Sequence, residues 1–348
     1  MKSDAAGGDL QPCASRLQFR DWQTFGMAME RAQIPKEMQD ALTAFDVAAE
    51  RIVSAFLERM ESQEPPTTIY HYTNDIGLKG ILETGQLWLS DIFNLNDPSE
   101  LSHGFSQAVR ILNSKADNGP QESRIFAKQF ALFHERGMQE TAHYFVCSFS
   151  SDGDDLGQWR AYADNGRGYV LGFDAKTLEQ FFTKKDGAPV PNNSTFPVTY
   201  NDAELAEIHR RLIDSMFELI SLPRGKKLEN PVIHVYMREL SVLLSVHALR
   251  AGLFFKHQAY KNEQEYRFLQ IHRADVPPPE VKRRYRSYEL VRYREFDWRH
   301  LAAGALKQII VGPAGDRSKA TRFAEDCVAA FHVGDVEIAS SKIPYRAM

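Results

Sequence analysis

The clearest pattern of apolar and polar positions predicts a strand–helix–strand unit over residues 69–90. Residues 69–72 are apolar and aromatic enough for a buried strand. A helix follows, and Gly85 is placed to end it in the left-handed conformation. Residues 86–90 then alternate as a second short strand. The apolar positions of the helix, at helical spacing, are Ile76, Leu78, Ile81 and Leu82.

Helical periodicity dominates two further parts of the chain. Residues 20–62 carry apolar residues at helical spacing, and Pro35 divides them into two helices. Residues 202–222 and 231–252 predict two more helices. The polar, glycine-containing residues 1–18 are expected to be poorly ordered.

Strand patterns lie between these helices and predict an α+β fold. Buried-strand signals occupy residues 141–150, 168–173, 306–311 and 336–339, with a helix over 318–331. The expected organisation is a disordered tail plus a helical N-terminal segment in residues 1–66, then one core domain in residues 67–348. A helical insertion is expected at about residues 202–252 of that domain.

Composition excludes disorder across the whole chain and indicates no global attraction to nucleic acid. Of the 348 residues 43% are hydrophobic, and 22 Phe with 13 Tyr can supply a large core. The net charge of −4 creates no basic field. Cys13, Cys147 and Cys327 match no metal-finger spacing and suggest a reducing compartment. Without a continuous apolar run of about 20 residues or an apolar signal-peptide core, a cytoplasmic protein with no membrane partner is expected.

Two stretches carry the candidate chemistry. His71 stands at the end of the first predicted strand, facing a loop rich in Ser and Asn. In a later predicted strand, Glu263, Glu265 and Arg267 share one face because side chains alternate along a strand. The alternative is that Glu265 and Arg267 form an ordinary same-face salt bridge and that Trp159 is an ordinary core aromatic.

A basic-aromatic patch is a third candidate. Residues 282–299 mix arginines with Tyr285, Tyr288, Tyr293 and Trp298. Such a patch can follow a nucleic-acid backbone and stack bases, although a strand with solvated arginine tips has the same pattern. The chain has no GxGxxG, no phosphate-binding GxxxxGK[ST] loop, no GxSxG and no carboxylate–histidine metal motif, so no metal is expected.

Several short motifs together resemble a large bacterial family known only as a domain of unknown function. They are His71-Tyr72-Thr73, Asn96-Asp97-Pro98, Trp159 with Tyr162, Gly166-Arg167-Gly168 and Glu263-Gln264-Glu265-Tyr266-Arg267. The resemblance covers about residues 67–312. The layout of that family is similar to the ADP-ribosyltransferase fold, a split mixed β-sheet core that clamps NAD. The chain lacks the Arg and Ser-Thr-Ser signature of the toxin branch.

This resemblance implies NAD as a co-substrate and assigns roles to named residues. His71 would bind a ribose or the diphosphate, an aromatic ring on a short helix would stack on nicotinamide, and Glu265 would be catalytic. The residues expected to bind NAD are His71, Tyr72, Thr73, Ser148, Trp159, Tyr162 and Arg267.

The residue types suit cleavage of the nicotinamide–ribose bond. Positive charge develops on the sugar, and one carboxylate near a ribose hydroxyl can stabilise it. Removing such a contact typically costs about 2.7–4 kcal/mol in the barrier. No strong nucleophile or metal is required.

Three functions remain open. The first is an ADP-ribosyltransferase-like enzyme that modifies nucleic acid or protein, as a toxin or phage-defence effector. The second is an NAD glycohydrolase on the same scaffold. The third is a non-enzymatic nucleic-acid or nucleotide-binding module that uses residues 282–299.

Overall fold

The computed structural model describes residues 34–94, 100–185, 188–190, 192–273 and 280–346. The helices are α1 (Lys36–Glu61), α2 (Asp75–Thr84), α3 (Glu100–Asp117), α4 (Gln121–Thr141), α5 (Leu156–Tyr162), α6 (Ala175–Thr183), α7 (Asp202–Met216), α8 (Asn230–Gly252), α9 (Trp298–Leu301) and α10 (Arg317–Ala330). The strands are β1 (Thr68–Thr73), β2 (Gln86–Asp91), β3 (Ala142–Ser150), β4 (Tyr169–Asp174), β5 (Lys184–Lys185), β6 (Ala188–Pro189), β7 (Asn193–Pro197), β8 (Glu265–Arg273), β9 (Lys282–Arg286), β10 (Glu289–Asp297), β11 (Leu306–Val311) and β12 (Glu337–Ser340). Short 3-10 helices lie at Ile92–Asn94, Asp164–Gly166, Phe217–Ser221 and Gln258–Glu263.

An open mixed sheet forms the centre of the fold and confirms the predicted α+β class. Its hydrogen-bonded order is β12-β11-β4-β1-β3-β2-β10-β9. β12 runs parallel to β11, whereas β1 and β4 are antiparallel. The sheet branches at β3, because β8 also pairs with β3 and carries β7 on its far side.

The two edges of β3 are used differently. One edge pairs with β8 along the whole strand, from Ala142 to Ser150. On the other edge, β2 pairs at Phe145 and Val146, and β1 pairs only at Ser150. β1 and β2 therefore diverge, and within the described structure no strand pairs with residues 147–149 on that edge.

Alternating side chains of the sheet build two cores on opposite faces. Helices α1, α3, α4, α7 and α8 pack on one face, against residues that include Tyr144 and Leu269. Helices α2, α6, α9 and α10 pack on the other face, against residues that include Phe149 and Phe268. Ser148 alternates with the residues of β3 that enter the second core, so its side chain faces the same way as Tyr144.

The N-terminal helix α1 packs against α7 and α8, the helices of the predicted insertion. α8 is, within the described ranges, the one helix long and apolar enough to cross a membrane, with 56% of its most apolar window buried inside the protein. It contacts α1, α3, α4 and α7, and it confirms the helix predicted over residues 231–252. The helix predicted before Pro35 lies outside the described residues.

Local chemistry fixes helix α2 as the sequence predicts. The Asn74 side chain accepts a hydrogen bond of 2.8 Å from the Gly77 backbone N–H, which caps the helix. Gly85 ends the helix with a φ of 70°, in the left-handed region. Gly77 itself lies against the end of β1, because a Cβ there would be 1.9 Å from the Thr73 hydroxyl.

One predicted strand begins later than expected, and one predicted motif lies outside the described residues. The strand predicted to contain Glu263 starts two residues later, at Glu265. Gln264 has a left-handed φ of 43°, so Glu263 ends a 3-10 helix instead. The motif Asn96-Asp97-Pro98 lies outside the described residues.

Paired alanine substitutions in α2 test the close contact between this helix and β1. Gly77→Ala should lower the free energy of unfolding by about 1–3 kcal/mol, because the new methyl group overlaps Thr73. Gly80→Ala is the matched control, since a Cβ at Gly80 meets nothing within 4 Å. It should raise stability by about 0.5–1 kcal/mol through helix propensity. Urea unfolding of both variants checks this, and equal effects of the two substitutions would contradict the packing described.

Candidate functional site

The His71 side chain fills the gap left on the edge of β3. Its Nδ1 lies 3.2 Å from the backbone carbonyl oxygen of Ser148. A carbonyl only accepts, so Nδ1 carries the proton and donates. The ring also packs edge-on against Phe149, with centroids 5.7 Å apart. The imidazole thus satisfies a carbonyl that no strand reaches.

His71 is held neutral. Burial lowers its pKa below the ordinary value, and the nearby positive charge of Arg284 lowers it further, against the opposing effect of the hydrogen bond to Ser148. In the neutral form with Nδ1 protonated, Nε2 is a hydrogen-bond acceptor. That atom has no hydrogen-bond partner among the described residues. His71 can therefore accept a hydrogen bond from a ligand hydroxyl.

Glu265, the first residue of β8, is the centre of a buried ion-pair network. Arg267 donates from Nε and Nη2 to the two carboxylate oxygens, at 2.9 and 3.0 Å. Lys256 Nζ lies 3.2 Å from Oε2, and the Ser148 hydroxyl donates to Oε1 at 2.7 Å. These four donors match the roughly four acceptor positions of a carboxylate.

This network fixes the charge of Glu265. Burial opposes ionisation, but the charges of Arg267 and Lys256 outweigh it and lower the pKa of Glu265 to about 2. Its side chain is only 3% exposed. A ligand hydroxyl therefore reaches Glu265 through the Ser148 hydroxyl, or after Lys256 moves aside.

A second carboxylate, Glu263, lies at the outer end of the network. Lys256 Nζ contacts its Oε2 at 2.6 Å, and the Tyr162 hydroxyl donates to its Oε1 at 2.9 Å. The Glu263 side chain is 16% exposed, against 3% for Glu265. Tyr162 is 38% exposed and offers part of its ring to solvent. Glu263 is thus the more accessible of the two acids.

The predicted residues His71, Glu265 and Tyr162 therefore belong to one continuous contact network. Ser148 touches the first two, through its carbonyl and its hydroxyl respectively. The contacts of the second carboxylate join Glu265 to Tyr162. In the part of the chain that the structure describes, no group of three His, Cys, Asp or Glu side chains is arranged to hold a metal.

The structure corrects the prediction that Trp159 stacks on a cofactor. Its ring is fully buried, its Nε1 donates to Asp154 at 2.8 Å, and it packs edge-on against Tyr72 at 5.2 Å between centroids. The Tyr72 hydroxyl is also committed, because it donates to the Asp152 carbonyl and accepts from the Asp155 N–H. Both side chains anchor α5 to β1, and only Tyr162 is placed to offer a ring.

Arg267 is likewise a structural counter-ion. It is 1% exposed, and besides its two bonds to Glu265 it donates to the Leu253 carbonyl at 3.1 Å. The predicted cofactor contact of Arg267 is therefore wrong, because no face of the guanidinium is open to a ligand. The same-face salt bridge expected as the alternative is present. Thr73 is half-buried at the end of β1, and its role stays a prediction.

The middle of this region matches a known family model. Residues 158–268 match DUF2971, a family described as a protein of unknown function. This confirms the resemblance to a family known only as a domain of unknown function. No curated protein and no solved structure matches the chain. The DUF2971 match includes Tyr162, Glu263 and Glu265, whereas His71 lies before it in the sequence.

A further cluster of side chains, outside the DUF2971 match, lies where β2 meets the β9–β10 hairpin. Arg284 on β9 donates from Nη2 to the Ser90 hydroxyl at 3.1 Å. Its guanidinium lies 5.3 Å from the centroid of the Trp88 ring. Trp88 is 39% exposed and packs on Tyr293, with centroids 4.4 Å apart. The alternation of β2 is a signal for Trp88, but Arg284, which reaches it, stands 196 residues later in the chain.

The basic-aromatic patch predicted over residues 282–299 is not one surface. Trp298 is 2% exposed and Tyr293 is 8% exposed, so both belong to the interior. Tyr285 and Tyr288 are 71% and 98% exposed, on the β9–β10 hairpin. Alternation along β9 and β10 divides the patch into an inward and an outward set.

The ionised state of Glu265 should make the free energy of unfolding depend on pH. Its pKa rises from about 2 in the folded chain to the ordinary 4.5 on unfolding, so its contribution is complete above pH 4.5 and is lost as pH falls towards 2. Glu265→Gln should remove this dependence and lower stability at pH 7 by about 3–5 kcal/mol, since Arg267 stays buried without its counter-ion.

Urea unfolding at several values between pH 2 and 7 measures both effects. Glu83→Gln is the control, because Glu83 pairs with Lys79 on the surface and should contribute little. Parallel stability curves for the wild type and Glu265→Gln would show that Glu265 is not held ionised by its neighbours.

Proposed function

We propose that the chain is an ADP-ribosyltransferase-like enzyme that binds NAD where β1 and β2 diverge and transfers ADP-ribose to a nucleic acid or protein. The observation that carries the proposal is the meeting of His71 and Glu265 at Ser148. These residues are 194 positions apart in the chain, and the branch of the sheet brings them together. A neutral acceptor and a fixed negative charge on the two strands that flank β3 at Ser148 suit recognition of a ribose.

Charge development on the sugar gives the carboxylates their proposed role. Breaking the nicotinamide–ribose bond places positive charge on the ribose, and an ionised carboxylate stabilises it. Glu265 supplies a permanent charge, and Glu263 supplies an accessible one next to it. Loss of such a contact typically costs about 2.7–4 kcal/mol in the barrier, or two to three orders of magnitude in rate.

The other groups of the network would orient the substrate. His71 Nε2 accepts a hydrogen bond from a ribose hydroxyl. The Ser148 hydroxyl, which donates to Glu265, accepts a hydrogen bond from another hydroxyl of the same sugar. The half-exposed ring of Tyr162 stacks on nicotinamide, which requires only a flat aromatic surface. Water in place of the acceptor would give an NAD glycohydrolase on the same scaffold. The toxin or phage-defence role stays a proposal that rests on the resemblance.

Radiolabelled NAD incubated with cell lysate tests this function. The wild type should transfer label to macromolecules, and Glu263→Gln should lose about two to three orders of magnitude in rate. Its loss of stability should be smaller than that of Glu265→Gln, because Lys256 keeps Glu265 as a partner. His71→Ala should reduce labelling as well. Glu265→Gln should abolish it, but its folding must be verified by unfolding measurements because Arg267 depends on it.

Surface variants provide the controls for the labelling experiment. Glu83→Gln and His300→Ala change exposed residues that pair within their own helical segments. Both should label like the wild type. Release of nicotinamide without labelled acceptor would identify the glycohydrolase. Equal labelling by wild type and both glutamate variants would remove the carboxylates from the mechanism.

The β9–β10 hairpin favours a second candidate function, binding of single-stranded nucleic acid. Ser287 and Tyr288 form its two-residue turn with φ values of 42° and 72°, a conformation that costs energy for residues other than glycine. The turn holds Tyr288 98% exposed, with Tyr285 71% exposed on the adjoining strand. Exposed tyrosines next to Lys282 and Arg283 can stack bases beside phosphates.

Fluorescence anisotropy with a labelled single-stranded RNA or DNA tests the hairpin. Tyr288→Ala should weaken binding by about 5- to 150-fold, the effect of losing one stacked base. Binding should also fall as salt rises, because lysine and arginine displace counter-ions. Phe181→Ala, which removes a 40% exposed aromatic on α6, is the control. Binding that Tyr288→Ala leaves unchanged would exclude the hairpin as the contact surface.

A further inference from the structure

Arg284 is a half-buried arginine that lacks a carboxylate partner. Its polar contact within the described structure is the 3.1 Å bond from Nη2 to the Ser90 hydroxyl. Its Nε is buried and has no hydrogen-bond partner. Within the described ranges no acidic side chain lies within ion-pair distance of its guanidinium. The group therefore carries a positive charge that the described residues do not neutralise.

Neighbouring arginines on the same hairpin show the ordinary arrangement. Arg286 pairs with Glu289 at 3.5 Å and also donates to the Asn94 carbonyl. Arg292 pairs with the buried carboxylate of Asp91, donating from Nε at 2.8 Å. Arg284 differs from both, because no carboxylate pairs with it among the described residues.

Leaving such a charge uncompensated is unfavourable. Burial lowers the pKa of Arg284, and repulsion from Arg286 adds to the effect. Removing a charge from water is costly unless a partner of opposite sign and hydrogen bonds replace the water. A bound anion would supply both, and a guanidinium matches the paired oxygens of a phosphate.

Strand register places Arg284 on the face of the sheet that carries the Ser148 side chain, because Ser90 pairs with Val146, two residues before Ser148. Arg284 pairs with Val291, and Tyr293 pairs with Ser90, so these side chains share one face of the sheet. The positive charge of Arg284 also acts on His71. An anion at Arg284 would therefore lie on the face of the sheet where the Ser148 hydroxyl meets Glu265.

We propose that Arg284, the Ser90 hydroxyl and the Trp88 ring form a subsite for the diphosphate of a nucleotide. Arg284 binds the phosphate oxygens through its Nη atoms, and the Ser90 hydroxyl holds the guanidinium in place. Trp88 packs under the guanidinium and presents a partly exposed ring beside it. The identity of the nucleotide as NAD rests on the proposed function, whereas the subsite itself requires only a diphosphate.

Equilibrium binding of NAD, ADP, inorganic pyrophosphate and adenosine tests the subsite by calorimetry. Arg284→Gln should weaken NAD, ADP and pyrophosphate by at least about tenfold, the effect of losing a charged hydrogen bond. Adenosine, which has no phosphate, should bind both forms equally. Arg283→Gln is the matched control, because Arg283 is the exposed neighbour on the opposite face of β9. Unfolding curves should show that both variants fold.

The outcomes separate the subsite from the proposed function. NAD and ADP binding that Arg284→Gln leaves unchanged would overturn the subsite, whatever the activity of the enzyme. Pyrophosphate or ADP binding that depends on Arg284, in a protein that neither cleaves nor binds NAD, would support the subsite and overturn the proposed function. If the wild type binds none of the phosphate ligands at millimolar concentration, both proposals fail.

Discussion

The hydrogen bond from His71 to the Ser148 carbonyl is the contact on which the opening between β1 and β2 depends. A buried carbonyl needs a donor, and an ordinary sheet would supply one from the neighbouring strand. Here β1 leaves β3 after Ser150, and β2 joins it only at Val146. The imidazole replaces the missing strand N–H. The strands can therefore separate without an unsatisfied carbonyl, and the same residue that permits the opening presents its second nitrogen to a ligand.

The charged side chains on the two sides of this opening differ in whether an opposite charge pairs with them. On one wall, Lys256 and Arg267 compensate the charge of Glu265 almost completely. On the other wall, Arg284 has no such partner among the described residues. A ligand with a sugar near the acids and a phosphate near Arg284 would complement both walls. Breaking a buried pair is costly, so the acid network also fixes the geometry of β3 and β8.

Local sequence signals predicted the elements but only part of the site. The cap at Asn74 and the left-handed Gly85 depend on neighbouring residues alone, so both were predictable. His71 and Glu265 were recognised as candidates through short motifs. The burial of Trp159 and the inward direction of Arg284 depend on packing between distant segments. No single strand pattern distinguishes an arginine tip in solvent from one beside a tryptophan of another strand.

The structure of the protein with a non-hydrolysable NAD analogue tests the central claim most directly. A ribose hydroxyl should lie within hydrogen-bond distance of His71 Nε2, and the diphosphate should accept hydrogen bonds from the Arg284 guanidinium. The Ser148 hydroxyl should donate its hydrogen bond either to Glu265, as it does without ligand, or to the sugar. An analogue bound elsewhere, for example against the β9–β10 hairpin, with the gap between β1 and β2 unchanged, would contradict it.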